Sequence, residues 1–199
     1  MVAVSRGSAE TRSRLIRTAL ELFADRGLDN VSLREIGVAA GQGNNAAVQY
    51  YFGDRDGLLK AIIAELSATN STLAADPTRS LPTPPASARQ IASALCLPFA
   101  SMLDEQGLYL EFIAAVMVDP PRAELLLGEP AARWFRVIEE RSQADLGVGE
   151  EDHRFPFAVT LTVHAFADRA RSERLQSAPS RRDRIVDDLV DAVAAVLSG

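Results

Sequence analysis

Side chains that commonly build catalytic and metal sites are scarce in this sequence. Its 199 residues include one cysteine, Cys96, and two histidines, His153 and His164. A single thiol forms no intrachain disulfide, and no cysteine or histidine pair has metal-site spacing. There is also no glycine-rich phosphate loop and no recognisable nucleophile with its base. We therefore expect no metal, no cofactor and no enzymatic activity.

Long apolar stretches are absent as well. No run approaches the roughly 18 residues that a membrane span requires, and the N-terminus lacks the hydrophobic core of an export signal. We therefore expect a cytoplasmic protein with no membrane partner. Apolar residues make up 47% and charged residues 24% of the chain, which is typical of a globular protein with a substantial core.

The net charge of −6 argues at first against a nucleic-acid partner. However, residues 1–66 are neutral, so the whole negative excess lies in residues 67–199. Arginines crowd the first helix, where a locally basic surface could hold phosphates. The alternative is that these arginines form an ordinary solvated helix face.

The most informative stretch covers residues 31–52 and reads VSLREIGVAAGQGNNAAVQYYF. Ser32, followed three positions later by Glu35, forms a capping-box pattern that predicts a helix start. Gly41 supplies the backbone conformation that favours a helix end. The pattern therefore predicts a short helix between Ser32 and Gly41.

A second short helix is predicted directly after this turn. Asn44 or Asn45 can cap it, and it extends to Phe52 with Ala47 and Val48 facing inward. Two short helices joined by a glycine-containing turn indicate a helix-turn-helix. Because its outward face carries glutamine and tyrosine, we expect this helix to enter a DNA major groove.

The predicted DNA contacts divide into base-reading and phosphate-binding side chains. Gln49 can form two hydrogen bonds with an adenine edge, and Ala46 can touch a thymine methyl group. Tyr50 and Tyr51 suit phosphate oxygens, although packing against the first helix is the alternative for both. The full predicted contact set is Arg34, Asn44, Asn45, Ala46, Gln49, Tyr50, Tyr51 and Arg55.

The whole chain is predicted to be all-α, in two parts. Residues 1–53 form a three-helix DNA-binding domain whose first helix covers 8–26. A fourth helix over 54–73 links it to a larger helical body over 74–199, which begins with the proline-rich segment 74–86.

Apolar periodicity predicts five helices in that body, over 88–103, 108–118, 131–146, 155–175 and 181–197. The last two have apolar bands wider than one core contact requires. They could form a four-helix dimer interface with an identical pair, or both could lie centrally in a monomer. The predicted interface residues are Phe155, Val159, Val163, Phe166, Val186, Leu189, Val193 and Leu197.

The pattern REIGVAAG, a turn, and then AVQYYFGDRDGLL resembles the DNA-binding end of TetR-type transcriptional repressors. The resemblance covers about residues 10–66. The turn is one residue longer than the common form, and Gln49 and Tyr51 replace the family's frequent tyrosine and histidine. The matching positions are Ala40, Gly41, Tyr50, Tyr51, Phe52, Arg55, Leu58 and Leu59.

This resemblance implies a two-fold dimer on a pseudo-palindromic operator and a small-molecule pocket in each C-terminal domain. From the residues of that pocket we expect a small, mainly apolar effector, which would release the DNA. The alternative is a regulator of the same fold that lacks a small-molecule effector or responds to a protein partner. Candidate ligand contacts, for each of which plain core packing is the alternative, are Phe99, Met102, Phe112, Met117, Trp134, Phe157 and His164.

Overall fold

The computed structural model describes residues 6–42, 46–69, 81, 83–119, 122–123, 129–149, 151–175 and 182–199. In these ranges all regular secondary structure is helical, which confirms the all-α class. None of the described helices is long and apolar enough to cross a membrane. The helices are α1 Arg6–Arg26, a 3-10 turn Leu28–Asn30, α2 Leu33–Ala39, α3 Ala46–Phe52, α4 Arg55–Thr69, α5 Ala88–Met102, α6 Gly107–Met117, α7 Glu129–Leu146, α8 Arg154–Leu175 and α9 Arg182–Ser198.

Two apolar clusters form the core. The N-terminal cluster joins α1, α2, α3 and the first part of α4, and includes the fully buried Leu15, Ile36 and Val48. The C-terminal cluster joins α5, α6, α7, α8 and α9, and includes Trp134 and Phe166. The described core thus consists of a smaller N-terminal cluster and a larger C-terminal one.

Two helices belong to both clusters. Leu58 of α4 lies in the N-terminal cluster, whereas Leu66, two turns later, packs in the C-terminal one. The same is true of α6, because Leu110 packs in the body while Phe112 stacks on Phe23 of α1, with ring centroids 6.4 Å apart. The linking role of helix four was expected from sequence, and the similar role of α6 was not.

The predicted start and end of α2 are confirmed. The backbone N–H of Glu35 donates to Ser32 Oγ at 3.2 Å, and Glu35 Oε2 accepts from the Ser32 N–H at 2.8 Å. These bonds to Ser32, together with nearby Arg26, hold the pKa of the Glu35 carboxyl below its usual value. The helix ends before Gly41, whose φ is 71°.

Some boundaries differ from the sequence-based expectations. The first helix begins at Arg6, two residues earlier than predicted. In contrast, α4 begins where it is expected, because Asp54 caps it and its Oδ1 accepts from the Gly57 N–H at 2.8 Å. The described part of that helix ends at Thr69, and residues 70–80, which include most of the proline-rich segment, lie outside the described residues.

Gly57 occupies a position in the first turn of α4 where a side chain does not fit. A Cβ added there would collide with the carbonyl oxygen of Phe52. We expect Gly57→Ala to lower the free energy of unfolding by about 1–3 kcal/mol, the usual cost of overpacking. The measurement is urea unfolding followed by circular dichroism.

The matched control is Gly7→Ala in α1, where an added Cβ meets nothing within 4 Å. This variant should be as stable as the parent or slightly more stable, because alanine favours helix over glycine. Equal stability of the two alanine variants would contradict the expected collision at Gly57.

Candidate nucleic-acid interface

The short helix α3 presents an apolar face to the core and a polar face to solvent. Val48 is fully buried, whereas Gln49 is exposed and Tyr50 has 82% of its surface exposed. Tyr51 is half-buried, with its ring edge-on to that of Tyr50 at a centroid distance of 5.2 Å. The expected directions of Val48, Gln49 and Tyr50 are therefore confirmed.

Other predicted contact residues are placed only in part. Arg34 on α2 is exposed, as are Arg14 on α1 and Lys60 on α4. Asn44 and Asn45 lie outside the described residues, and of Ala46 the structure describes only the backbone at the start of α3. The exposed part of the predicted contact set thus consists of Arg34, Gln49 and Tyr50, with Tyr51 partly accessible.

Two arginines of the predicted basic surface are engaged in ion pairs within the protein. Arg12 binds Glu65 of α4 at 3.2 Å and lies over the Phe52 ring, 5.6 Å from its centroid. Arg17 pairs with Glu21 at 3.2 Å along α1. These side chains are partly neutralised by their partners, and Arg12 also fixes α1 against α4.

Arg55, which the sequence placed at a phosphate, instead holds the loop before α2. Its guanidinium donates to the carbonyl oxygen of Val31 at 2.8 Å and also to that of Leu28. It lies over the Phe23 ring, 5.7 Å from the centroid. Sequence reasoning missed this role because the accepting carbonyls carry no residue-type signal.

A buried carboxylate joins the N-terminal module to the body. Glu111 on α6 is 2% exposed and accepts from Arg174 of α8 at 2.9 and 3.0 Å. Arg171 reaches the same carboxylate at 3.3 Å, and Arg174 also binds Asp25 of α1 at 2.7 Å. The hydrogen bonds to Glu111 and then to Asp25 raise the pKa of Arg174 above its usual value.

A second ion pair connects the two parts on another side. Arg122, just beyond α6, binds Asp29 in the 3-10 turn at 2.6 Å and Asp119 at 3.3 Å. The hydrogen bond from Arg122 lowers the pKa of Asp29. Arg55 binds the carbonyl oxygen of the neighbouring Leu28. The Arg122–Asp29 pair therefore contacts the same turn, which leads directly into α2.

Comparison with known proteins identifies the N-terminal module. Residues 15–62 match the family model described as bacterial regulatory proteins, tetR family, and this segment covers most of α1 to α4. The N-terminal module has the sequence pattern of the tetR family.

The likeness to TetR-family structures extends over nearly the whole chain. A TetR family transcription regulator from Marinobacter aquaeolei VT8 is 16% identical, with a TM-score of 0.63, covering 96% of this chain and 97% of that one. A mutant of HlyIIR is 16% identical, with a TM-score of 0.58 and coverages of 92% and 98%. A Rhodococcus protein described as a putative TetR-family regulator is 18% identical, with a TM-score of 0.52 and coverages of 96% and 100%. The likeness of these structures shows a shared fold. No curated protein matches this chain.

The helical body of the chain contains a cavity of about 500 Å³. Its walls come from α4 to α8 and the segment after α6, and they are almost entirely apolar. Phe99 and Met117, both predicted as ligand contacts, are among the lining residues. The described lining consists of Ile63, Leu66, Ser67, Phe99, Ile113, Met117, Ala123, Phe135, Glu139, Phe155, Pro156, Val159 and Thr160.

The other predicted ligand contacts lie elsewhere. Phe112 belongs to the N-terminal cluster, and Phe157 is 62% exposed on α8. Met102 and Trp134 are buried in the core of the body, although the Trp134 ring touches the cavity-lining Phe135 edge-on. His164 is half-buried and is not among the lining residues. The apolar character of a residue therefore does not show whether it lines the cavity, packs in the core or lies on the surface.

The predicted interface residues are mostly buried within the chain's own core. Of the eight, Val159 and Val186 are half-buried, and Val159 lines the cavity. Six are below 9% exposure, namely Phe155, Val163, Phe166, Leu189, Val193 and Leu197. The apolar residues that α8 leaves exposed in its first half are instead Phe157 and Leu161.

A lone thiol lies in the same core. Cys96 on α5 is buried, and its Sγ lies 3.7 Å from Thr162 Oγ1 on α8. Burial raises the pKa of the Cys96 thiol to about 11, and the contact with Thr162 offsets only part of this rise. The residue therefore acts as a small core side chain.

Breaking the Glu111–Arg174 pair should destabilise the TetR-family fold. Arg174→Met leaves a buried carboxylate with only Arg171 as a basic partner, and we expect the free energy of unfolding to fall by about 3 kcal/mol. Arg171→Met is the matched control, because that side chain is half exposed and its loss should cost less than about 1 kcal/mol. Thermal and urea unfolding measure both, and equal effects would refute a special role for Arg174.

Proposed function

We propose that this protein is a dimeric, sequence-specific repressor that a small molecule releases from its operator. The observation that carries this proposal is the face of α3, where Gln49 and Tyr50 are exposed directly beside the buried Val48. A rigidly packed short helix with outward polar side chains suits entry into a major groove. The match of residues 15–62 to the tetR-family model supports the same function.

The exposed residues of the module have distinct proposed roles. Gln49 reads an adenine edge, whereas Arg34, Tyr50 and Tyr51 bind phosphate oxygens and fix the register. Asn44, Asn45 and Ala46 remain proposed contacts on the basis of sequence alone. Arg55 is proposed to position the helix-turn-helix through its bonds to backbone carbonyls.

We propose that α8 and α9 pair with the same helices of a second copy. Most of the apolar residues first predicted for this interface are buried in the chain's own core. We therefore assign the contact to the apolar residues of α8 that remain exposed. Phe157 and Leu161 lie one turn apart on α8 and are exposed. An exposed apolar pair on a long helix is costly in a monomer and suits a two-fold interface.

Effector release is proposed to act through α4 and α6, the two helices that pack in both apolar clusters. Ile63 and Ser67 of α4 line the cavity, so a ligand there contacts the linking helix directly. Met117 of α6 and Ala123 after it also line the cavity. Arg122, which lies between them in the sequence, forms an ion pair with Asp29 in the 3-10 turn before α2. A small shift of either element would change the spacing of two reading helices.

The alternative function is a regulator of the same fold without a small-molecule effector, or one that responds to a protein partner. The size and apolar lining of the cavity favour the effector version, since about 500 Å³ suits a drug-sized molecule.

Selection of bound sequences from a random duplex pool, with the full chain in dilute salt, tests the proposal. We expect enrichment of an inverted repeat whose half-sites lie about 34–36 Å apart, or at a related spacing. Absence of any enriched sequence would refute sequence-specific binding. Enrichment of a single unrepeated half-site would refute the dimeric mode.

Gln49→Ala should relax sequence preference at one base pair in each half-site. The expected loss of discrimination is about 1–3 kcal/mol at that position, because the alanine cannot bond the base edge. Tyr50→Phe is the contrasting variant. It should weaken binding to all sequences alike, because it removes a hydroxyl group that donates a hydrogen bond to a phosphate oxygen. Fluorescence anisotropy with single-substitution duplexes measures both, and uniform weakening by Gln49→Ala would mean that Gln49 contacts the backbone.

Phe157→Glu should dissociate the proposed dimer, because it places a charge in the apolar contact. We expect a monomer at micromolar concentration and operator affinity lower by about 100-fold, since two linked sites bind far more tightly than one. Leu97→Glu on α5 is the control, because Leu97 is 52% exposed on a helix outside the proposed pair. Sedimentation equilibrium decides the outcome, and a dimer that survives Phe157→Glu would exclude this interface.

A further inference from the structure

The cavity in the body combines apolar walls with one negative charge. Glu139 of α7 is the one charged side chain among the described residues that line it. We propose that the cavity selects a lipophilic cation, an apolar molecule of aromatic size carrying a positive charge. This inference deepens the proposed function, because it names the chemical class of the effector bound at that site.

Glu139 lacks the partner that a half-buried carboxylate normally has. Among the described residues, no basic side chain forms an ion pair with it and no donor forms a hydrogen bond to it. A carboxylate withdrawn from water is costly unless a counter-charge compensates. A cation in the cavity would supply that compensation, whereas an anion would be repelled and a neutral molecule would leave the carboxylate unpaired.

The aromatic residues around the cavity favour the same class. Phe99, Phe135 and Phe155 line it from α5, α7 and α8. The faces of aromatic rings attract positive charge, and this attraction is stronger in a site shielded from water. Three phenylalanine rings and a carboxylate therefore supply both the apolar contact and the charge complement that a lipophilic cation needs.

One hydroxyl group of the cavity already donates within the protein and can therefore only accept from a ligand. Thr160 Oγ1 donates its hydrogen to the Pro156 carbonyl oxygen at 2.9 Å, which leaves only lone pairs for a ligand. Ser67 contributes the second hydroxyl of the described lining, from α4. At Thr160 a ligand with donor groups or positive charge therefore finds an acceptor.

Three probes of similar shape and different charge test this inference on the full chain. They are tetraphenylphosphonium as the cation, tetraphenylborate as the anion and triphenylphosphine oxide as the neutral molecule. Trp134 is the single tryptophan, and its ring lies 5.0 Å from that of Phe135, so its fluorescence reports occupancy. Equilibrium dialysis gives the stoichiometry independently.

We expect one tetraphenylphosphonium per chain, bound at least about tenfold more tightly than the neutral probe, with the weakest binding for the borate. Glu139→Gln should reduce cation affinity about tenfold and leave neutral binding unchanged. The matched control is Glu140→Gln, which removes the same charge from an exposed neighbour on α7 and should have no effect. Circular dichroism confirms that each variant folds.

Two kinds of result would overturn the inference, and they differ in what else they affect. If the neutral or anionic probe binds as well as the cation, or Glu139→Gln leaves cation binding unchanged, the proposed charge selection is wrong while the cavity remains a ligand site. If no probe binds while the chain still selects its operator, the cation class fails together with the effector part of the proposed function, but DNA recognition stands.

Discussion

The relative placement of the two parts of this protein depends on a carboxylate that has been taken out of water. Glu111 lies deep in the structure, and such a charge is tolerated only with close cationic partners. Arg174 provides the main one, and the same guanidinium extends to Asp25 on α1. Satisfying a charge in the body therefore also anchors the first helix of the N-terminal module.

Apolar packing strengthens this anchor through the helices that belong to both clusters. Leu66 of α4 packs in the C-terminal cluster and Phe112 of α6 packs in the N-terminal one, so both helices cross the boundary between the clusters. These are also the helices that contribute Ile63 and Met117 to the cavity wall. A molecule in the cavity would thus contact the helices that join the body to the N-terminal module, which gives the proposed regulation a physical basis.

Local features of this fold were readable from the sequence, and long-range polar contacts were not. The Ser32–Glu35 capping box, the stop at Gly41 and the inward direction of Val48 depend on neighbours a few positions away. In contrast, Arg174 and Asp25 are 149 positions apart, and no periodic pattern indicates such a pairing.

The same limit explains the cavity and the interface. An apolar stripe shows that a helix face is buried but does not show which surface buries it. Phe155 and Val163 consequently looked like interface residues although they pack within their own chain, and Glu139 gave no signal because exposed glutamates are common on helices.

The burial of Cys96 has a consequence for how this regulator can be controlled. With its thiol pKa raised to about 11, the group carries almost no thiolate at neutral pH, and thiolate is the reactive form. Reagents that attack thiolates therefore react slowly with the folded chain, because its single thiol is buried and protonated. A disulfide between two copies would require Cys96 to leave the core first, so oxidising conditions alone do not cross-link folded chains through sulfur.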